Sequence, residues 1–144
     1  MRLFLLLCVI GAVASSCRDT QIILLEDRLE GTWAYTEARQ RIVNKPLSTF
    51  YSIYSYYDGD EITFYKDETM TYVEANGDIW DGTWSYYSVN NGDDREYILS
   101  AVLTNSRGTV QHHVWETNGL SQPNRLVLRN QDSDYEHCFV LWRQ

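Results

Sequence analysis

The side chains best suited to hold a ligand are aromatic, and they alternate. Trp80, Gly82, Trp84 and Tyr86 stand at every second position, so an extended strand places them on one face. Tyr51, Ile53 and Tyr57 share one face of a second run, with Phe50, Tyr54 and Tyr56 on the other. An aromatic wall with a few phenol tips suits a small, mostly apolar molecule. Trp80, Trp84, Tyr86 and Tyr51 are therefore the expected ligand-contacting residues. Two other uses of the same rings are a solid core and an exposed patch that meets a sugar or a protein.

Other chemistries find less support. His112, His113, His137 and Cys138 are the natural metal-ligand types, but neighbours in a strand point to opposite faces. Each strand then offers one ligand, giving two at best, below a typical zinc set. Asp58, Asp60 and Glu61 cluster at one turn signal, and Asp93, Asp94 and Glu96 at another, where Asp is favoured for backbone reasons. No serine stands in a nucleophile elbow and no phosphate loop is present. The expectation is a protein without catalytic residues, metal or cofactor.

The first residues carry a targeting pattern. Met1-Arg2 precedes an apolar run from Leu3 to Val13 and the small residues Ala14-Ser15-Ser16. That run falls short of the ~20 residues a spanning helix needs, and no later stretch is apolar for longer. Cys17 follows at once. Ala14-Ser15-Ser16-Cys17 resembles the lipobox of bacterial lipoproteins, and that resemblance implies a lipidated Cys17, with acyl chains such as palmitate. Cleavage after Ala12-Val13-Ala14 is the alternative. It would leave Cys17 free to pair with Cys138, whereas acylation leaves Cys138 alone.

The elements that must position the aromatic rings are mostly strands. The 144 residues are enough for one domain, 14% are aromatic, and the formal net charge is −8. Such an acidic chain, with Lys45 and Lys66 as its lysines, makes a poor nucleic-acid binder. Asp19 to Leu29 has helical spacing through Ile22, Leu25 and Leu29, and Gly31 ends it. Beyond it, strands are expected at 33–40, 47–57, 61–66, 69–74, 79–88, 96–104, 110–116, 125–129 and 135–143, with a polar loop at 90–94. Short connections favour an antiparallel up-and-down barrel of about eight strands, whose interior holds side chains or one small ligand.

Gly31-Thr32-Trp33 opens the first strand directly after the short helix, and Gly82-Thr83-Trp84 repeats the tripeptide. With Ile62 to Asp67, Thr69 to Tyr72, Leu126 to Leu128 and Phe139 to Trp142, this resembles the small lipocalin-like domains of bacterial lipoproteins. The resemblance spans roughly residues 29–144. The chain is shorter than a typical lipocalin, and Ser133-Asp134-Tyr135 resembles a later lipocalin motif but stands at the start of the final strand. The resemblance implies a structural Trp33 that closes one barrel end beneath Arg143 or Arg129.

The expected organisation is a signal peptide at 1–16, a lipid-anchored N-terminus with the short helix at 17–29, and a lipocalin-like barrel at 30–144. The expected function is a non-catalytic, monomeric envelope lipoprotein, tethered to the outer membrane and facing the periplasm or the cell surface. It would bind a small apolar or amphipathic ligand. The alternative is an interaction module with a solid barrel and an exposed aromatic patch for a protein or glycan. Replacing Cys17 by Ser should yield a product without lipid. An intact mass for the wild type matching an unmodified chain that starts at Ser15 would refute the anchor.

Overall fold

Alternation of buried and exposed side chains builds nearly every element. The computed structural model describes residues 20–118 and 122–144; the signal segment, Cys17 and Asp19 lie outside them. A helix α1 (Thr20–Leu29) precedes strands β1 (Gly31–Ile42), β2 (Tyr51–Ser52), β3 (Glu61–Phe64), β4 (Thr69–Val73) and β5 (Ile79–Asn91). Strands β6 (Asp94–Asn105), β7 (Val110–Thr117), β8 (Arg125–Gln131) and β9 (Tyr135–Arg143) follow. Each strand from β3 onward pairs antiparallel with the next, and β1 pairs with both β3 and β9. The result is a closed eight-stranded meander barrel with one short helix, as the pattern predicts. No helix among the described residues is long and apolar enough to cross a membrane.

Closure runs along the whole of β1, from Trp33 opposite Arg143 to Ile42 opposite Tyr135. A bulge between Tyr35 and Glu37 breaks the period of two. It lets Trp33, Tyr35 and Ala38 all point inward and become buried. Thr36, the extra residue, donates its hydroxyl to the Val140 carbonyl at 3.1 Å.

One end of the barrel is sealed. Ile22, Leu25 and Leu29 of α1 are buried there, while Ile23 and Leu24 on the far side of the helix are exposed. The fully buried Trp33 donates its indole N–H to the Leu29 carbonyl at 2.8 Å, satisfying a group that the helix end leaves open. The Arg143 guanidinium lies over the Trp33 ring, 4.9 Å from its centroid, and also donates to the Arg28 carbonyl. Trp84 packs edge-on to Phe64, 5.5 Å between centroids, and donates to the Tyr65 carbonyl at 3.2 Å. Gly82 is required by close approach, since a Cβ there would stand 1.9 Å from the Val102 carbonyl oxygen.

Two expectations are corrected. Residues 47–57 do not form a strand: only Tyr51–Ser52 pairs with β1, and Tyr54–Tyr56 makes a 3-10 turn. The backbone there is satisfied locally, with Tyr56 N–H on the Ile53 carbonyl and Tyr57 N–H on the Tyr54 carbonyl. Ile53 N–H reaches the Ala38 carbonyl at 2.8 Å. The alternating faces expected of Tyr51, Ile53 and Tyr57 against Phe50, Tyr54 and Tyr56 therefore do not exist. Tertiary demand overrides the strand preference of tyrosine, because the segment must turn back into β3. Residues 90–94 are not a loop either. Asn91 pairs with Asp94, and the hairpin turns on Gly92-Asp93 alone, with Gly92 at φ +68°.

Both G-T-W tripeptides should prove essential to the fold. Trp33→Ala should cost about 3–5 kcal/mol in denaturant unfolding, as a large truncation in a sealed core. A loss under about 1 kcal/mol would contradict the described burial.

Candidate functional site

The barrel is paired incompletely at the end opposite α1. Strand β3 meets β1 only over Gly31–Ala34, and β7 meets β8 only at Glu116–Arg129 and Thr117–Leu128. Both seams part toward the same end. Beyond them the inward faces enclose a cavity of about 270 Å³. Its aromatic and aliphatic wall is Tyr35, Tyr57, Ile62, Tyr72, Leu103, Trp115 and Phe139, and its polar lining is Glu74, Gln111, His113, Asn130 and His137.

The rings brace one another. Tyr35 stacks on Tyr57 at 5.2 Å and meets the edge of Phe139 at 5.7 Å. His113 lies parallel to Trp115 at 4.9 Å, and His137 parallel to Phe139 at 6.0 Å. His113 also contacts the Gln111 side-chain oxygen through Nε2 at 3.0 Å.

The site holds one carboxylate, with a second behind its wall. The Glu74 carboxylate accepts the Trp80 indole N–H at 2.8 Å and the Asn76 amide at 3.0 Å. Buried Asp60 lies behind the wall, where it accepts the Tyr72 hydroxyl and the Ala75 N–H. Burial, then Tyr35, then the hydrogen bond and charge of Asp60, with Glu74 last, push the Tyr72 phenol well above its ordinary range. Burial, Tyr57 and Asp60 do the same to Tyr35. Burial first, and His112 second, lower His113, which favours its neutral form. No Lys or Arg lines the cavity.

The residues expected to contact a ligand are placed differently. Trp80, Trp84 and Tyr86 all face inward and are buried, as their alternation predicts, yet none lines the cavity. Trp80 instead holds Glu74, and Trp84 helps seal the far end. Tyr86 shares a hydrogen bond of 2.7 Å with Thr117 and stacks on Tyr97, and burial pushes its phenol up to about 12. Tyr51 is exposed on the short strand β2, bonded to Gln40, and is not part of the cavity wall. Gly31 opens β1, and Arg143, not Arg129, lies over the Trp33 ring.

Inward-facing polar residues were the overlooked signal. Gln111, His113 and Trp115 alternate in β7, and Tyr135, His137 and Phe139 in β9. His113 and His137 reach the same cavity from different strands, while exposed His112 does not line it. Among the described residues no group of three or more His, Cys, Asp or Glu could hold a metal. Cys138 is a free, half-buried thiol, paired in register with Arg39 and Arg129.

Fold and site together define a closed meander barrel with a half-polar cavity at its open end. No family model, curated protein or solved structure matches the chain.

Tyr86 serves as a control position. Tyr86→Ala should destabilise the fold by about 3 kcal/mol, as a core truncation. It should leave binding in the cavity unchanged, and a selective loss of ligand without loss of stability would move the site to the other end.

Proposed function

We propose that the protein is a non-catalytic binding module that takes a small amphipathic ligand into the open end of its barrel. The observation that carries this reading is the cavity itself: buried aromatic rings and five polar side chains surround unfilled space of about 270 Å³. That volume lies just below the range of ordinary ligand sites, about 300–1,000 Å³. It suits a compact molecule with a polar end better than a long acyl chain.

The surrounding features support a place for such a module. Cys17 stands close ahead of α1, so an acylated Cys17 would hold the sealed end toward a membrane and leave the open end facing away. On this reading the protein is a lipocalin-like monomer of the bacterial envelope, tethered to the outer membrane. The Arg143 stack on Trp33 supports the lipocalin likeness by matching what that resemblance implies. The net charge of −8 favours partners other than nucleic acid.

A second reading rests on residues 47–56. Leu47 is 98% exposed and Tyr56 80% exposed, with Phe50 and Tyr51 also open to solvent. An apolar surface of this kind fits a protein or glycan partner.

Tryptophan fluorescence separates the two. Small aromatic amphiphiles should shift the emission of the wild type, and Trp115→Phe should remove most of that response, because Trp115 alone of the tryptophans lines the cavity. If no such compound binds at millimolar concentration, the cavity reading fails and the 47–56 surface becomes the next place to mutate.

A further inference from the structure

Among the described residues the cavity lining holds one carboxylate, several aromatic rings and no Lys or Arg. Its carboxylate is Glu74, each of whose oxygens accepts one hydrogen bond and retains a further lone pair. The Tyr72 hydroxyl donates to Asp60, so its remaining hydrogen-bonding capacity is as an acceptor. The side-chain oxygen of Asn130 is buried and without a partner, and Asn130 lines the same cavity. A buried acceptor left alone costs free energy, which a ligand donor would recover. Tyr35, Tyr57 and Phe139 meet at centroid separations of 5.1–5.7 Å, forming an aromatic corner that Tyr72 adjoins through Tyr35.

Two features converge: a carboxylate unaccompanied by Lys or Arg among the described lining residues, and aromatic ring faces. A cation over an aromatic face is attracted by the ring quadrupole, and more so where water is excluded. Neutral molecules would meet the rings but leave the carboxylate uncompensated. Anions would meet Glu74 and, behind Tyr72, Asp60. We infer that the cavity selects a small organic ammonium ion, with the nitrogen directed to Glu74 and the carbon frame against the tyrosines. This inference rests on the cavity being a binding site and adds the charge of its ligand.

Calorimetric titration of the purified protein tests it, in phosphate buffer at pH 8, where ordinary imidazoles are uncharged. Three probes of one shape are compared: 2-phenylethylamine, 2-phenylethanol and 3-phenylpropanoate. The ammonium probe should bind at least about tenfold more tightly than the alcohol, and the carboxylate should bind weakest. Equal or tighter binding of the alcohol or the carboxylate overturns the ammonium inference while leaving the binding reading intact. Absence of binding by all three overturns both. Glu74→Gln keeps an acceptor for Trp80 and removes the charge. It should lower the affinity for 2-phenylethylamine about tenfold and spare 2-phenylethanol. Unchanged amine affinity in that variant would overturn the role given to Glu74. Should the variant fail to fold, the comparison of the three probes on the wild type decides the matter.

Discussion

The pairing of β1 with β9 determines what the rest of the chain can do, because a meander becomes a barrel only when its first and last long strands meet. That seam is continuous from Trp33–Arg143 to Ile42–Tyr135, and it carries the bulge after Tyr35. Without the bulge, strict alternation would carry Ala38 to the outer face while Trp33 and Tyr35 pointed in. With it, β1 contributes three buried inward residues to different levels of the interior. The same seam places Arg143 over Trp33, so closing the sheet also closes one end of the lumen. Helix α1 depends on this arrangement: its last carbonyls are met by the Trp33 indole and the Arg143 guanidinium.

Closure at one end leaves the other end to part. The short pairings of β3 with β1 and of β7 with β8 both stop before the rim. Leu99, Leu126, Leu128 and Leu141 are fully buried in the interior below the cavity. Toward the rim the inward positions pass to tyrosine, histidine, asparagine and glutamate. Polar groups of this kind are tolerated inside a barrel only where they find partners or reach water. The cavity is therefore a consequence of where the strand pairings end, and its polarity follows from being near solvent.

Much of this architecture was legible in the sequence. Ile22, Leu25 and Leu29 marked the helix, the turn signals placed most strands within a few residues, and Gly31-Thr32-Trp33 marked the sealed end. Residues 47–57 misled because tyrosine favours strands wherever a partner edge is available, and β1 offers this segment only two pairs. The 90–94 stretch misled because its polar composition matched a loop, although a two-residue turn sufficed. The cavity-lining residues were missed for a different reason. Alternation placed Trp80, Trp84 and Tyr86 on one face, which is buried, but it does not say at which level of the barrel a residue stands. That level follows from register and from the ends of the seams, neither of which is local to any one strand.

Of the residues expected to contact a ligand, Trp80 instead supports one that lines the cavity, and neighbouring side chains do the same for others. Trp80 fixes Glu74 through its indole N–H. Asp60, fully inside the wall, fixes Tyr72 and the turn at Ala75 together. Trp115 and Phe139 hold the two histidine rings by parallel stacking. Each of these contacts restricts a rotamer before any ligand arrives, and a site whose side chains are already ordered loses less entropy on binding. The Asn130 oxygen stands apart from this scheme, since it is buried and without a partner. The lumen thus combines side chains ordered by their neighbours with one buried acceptor that the described residues leave unpaired.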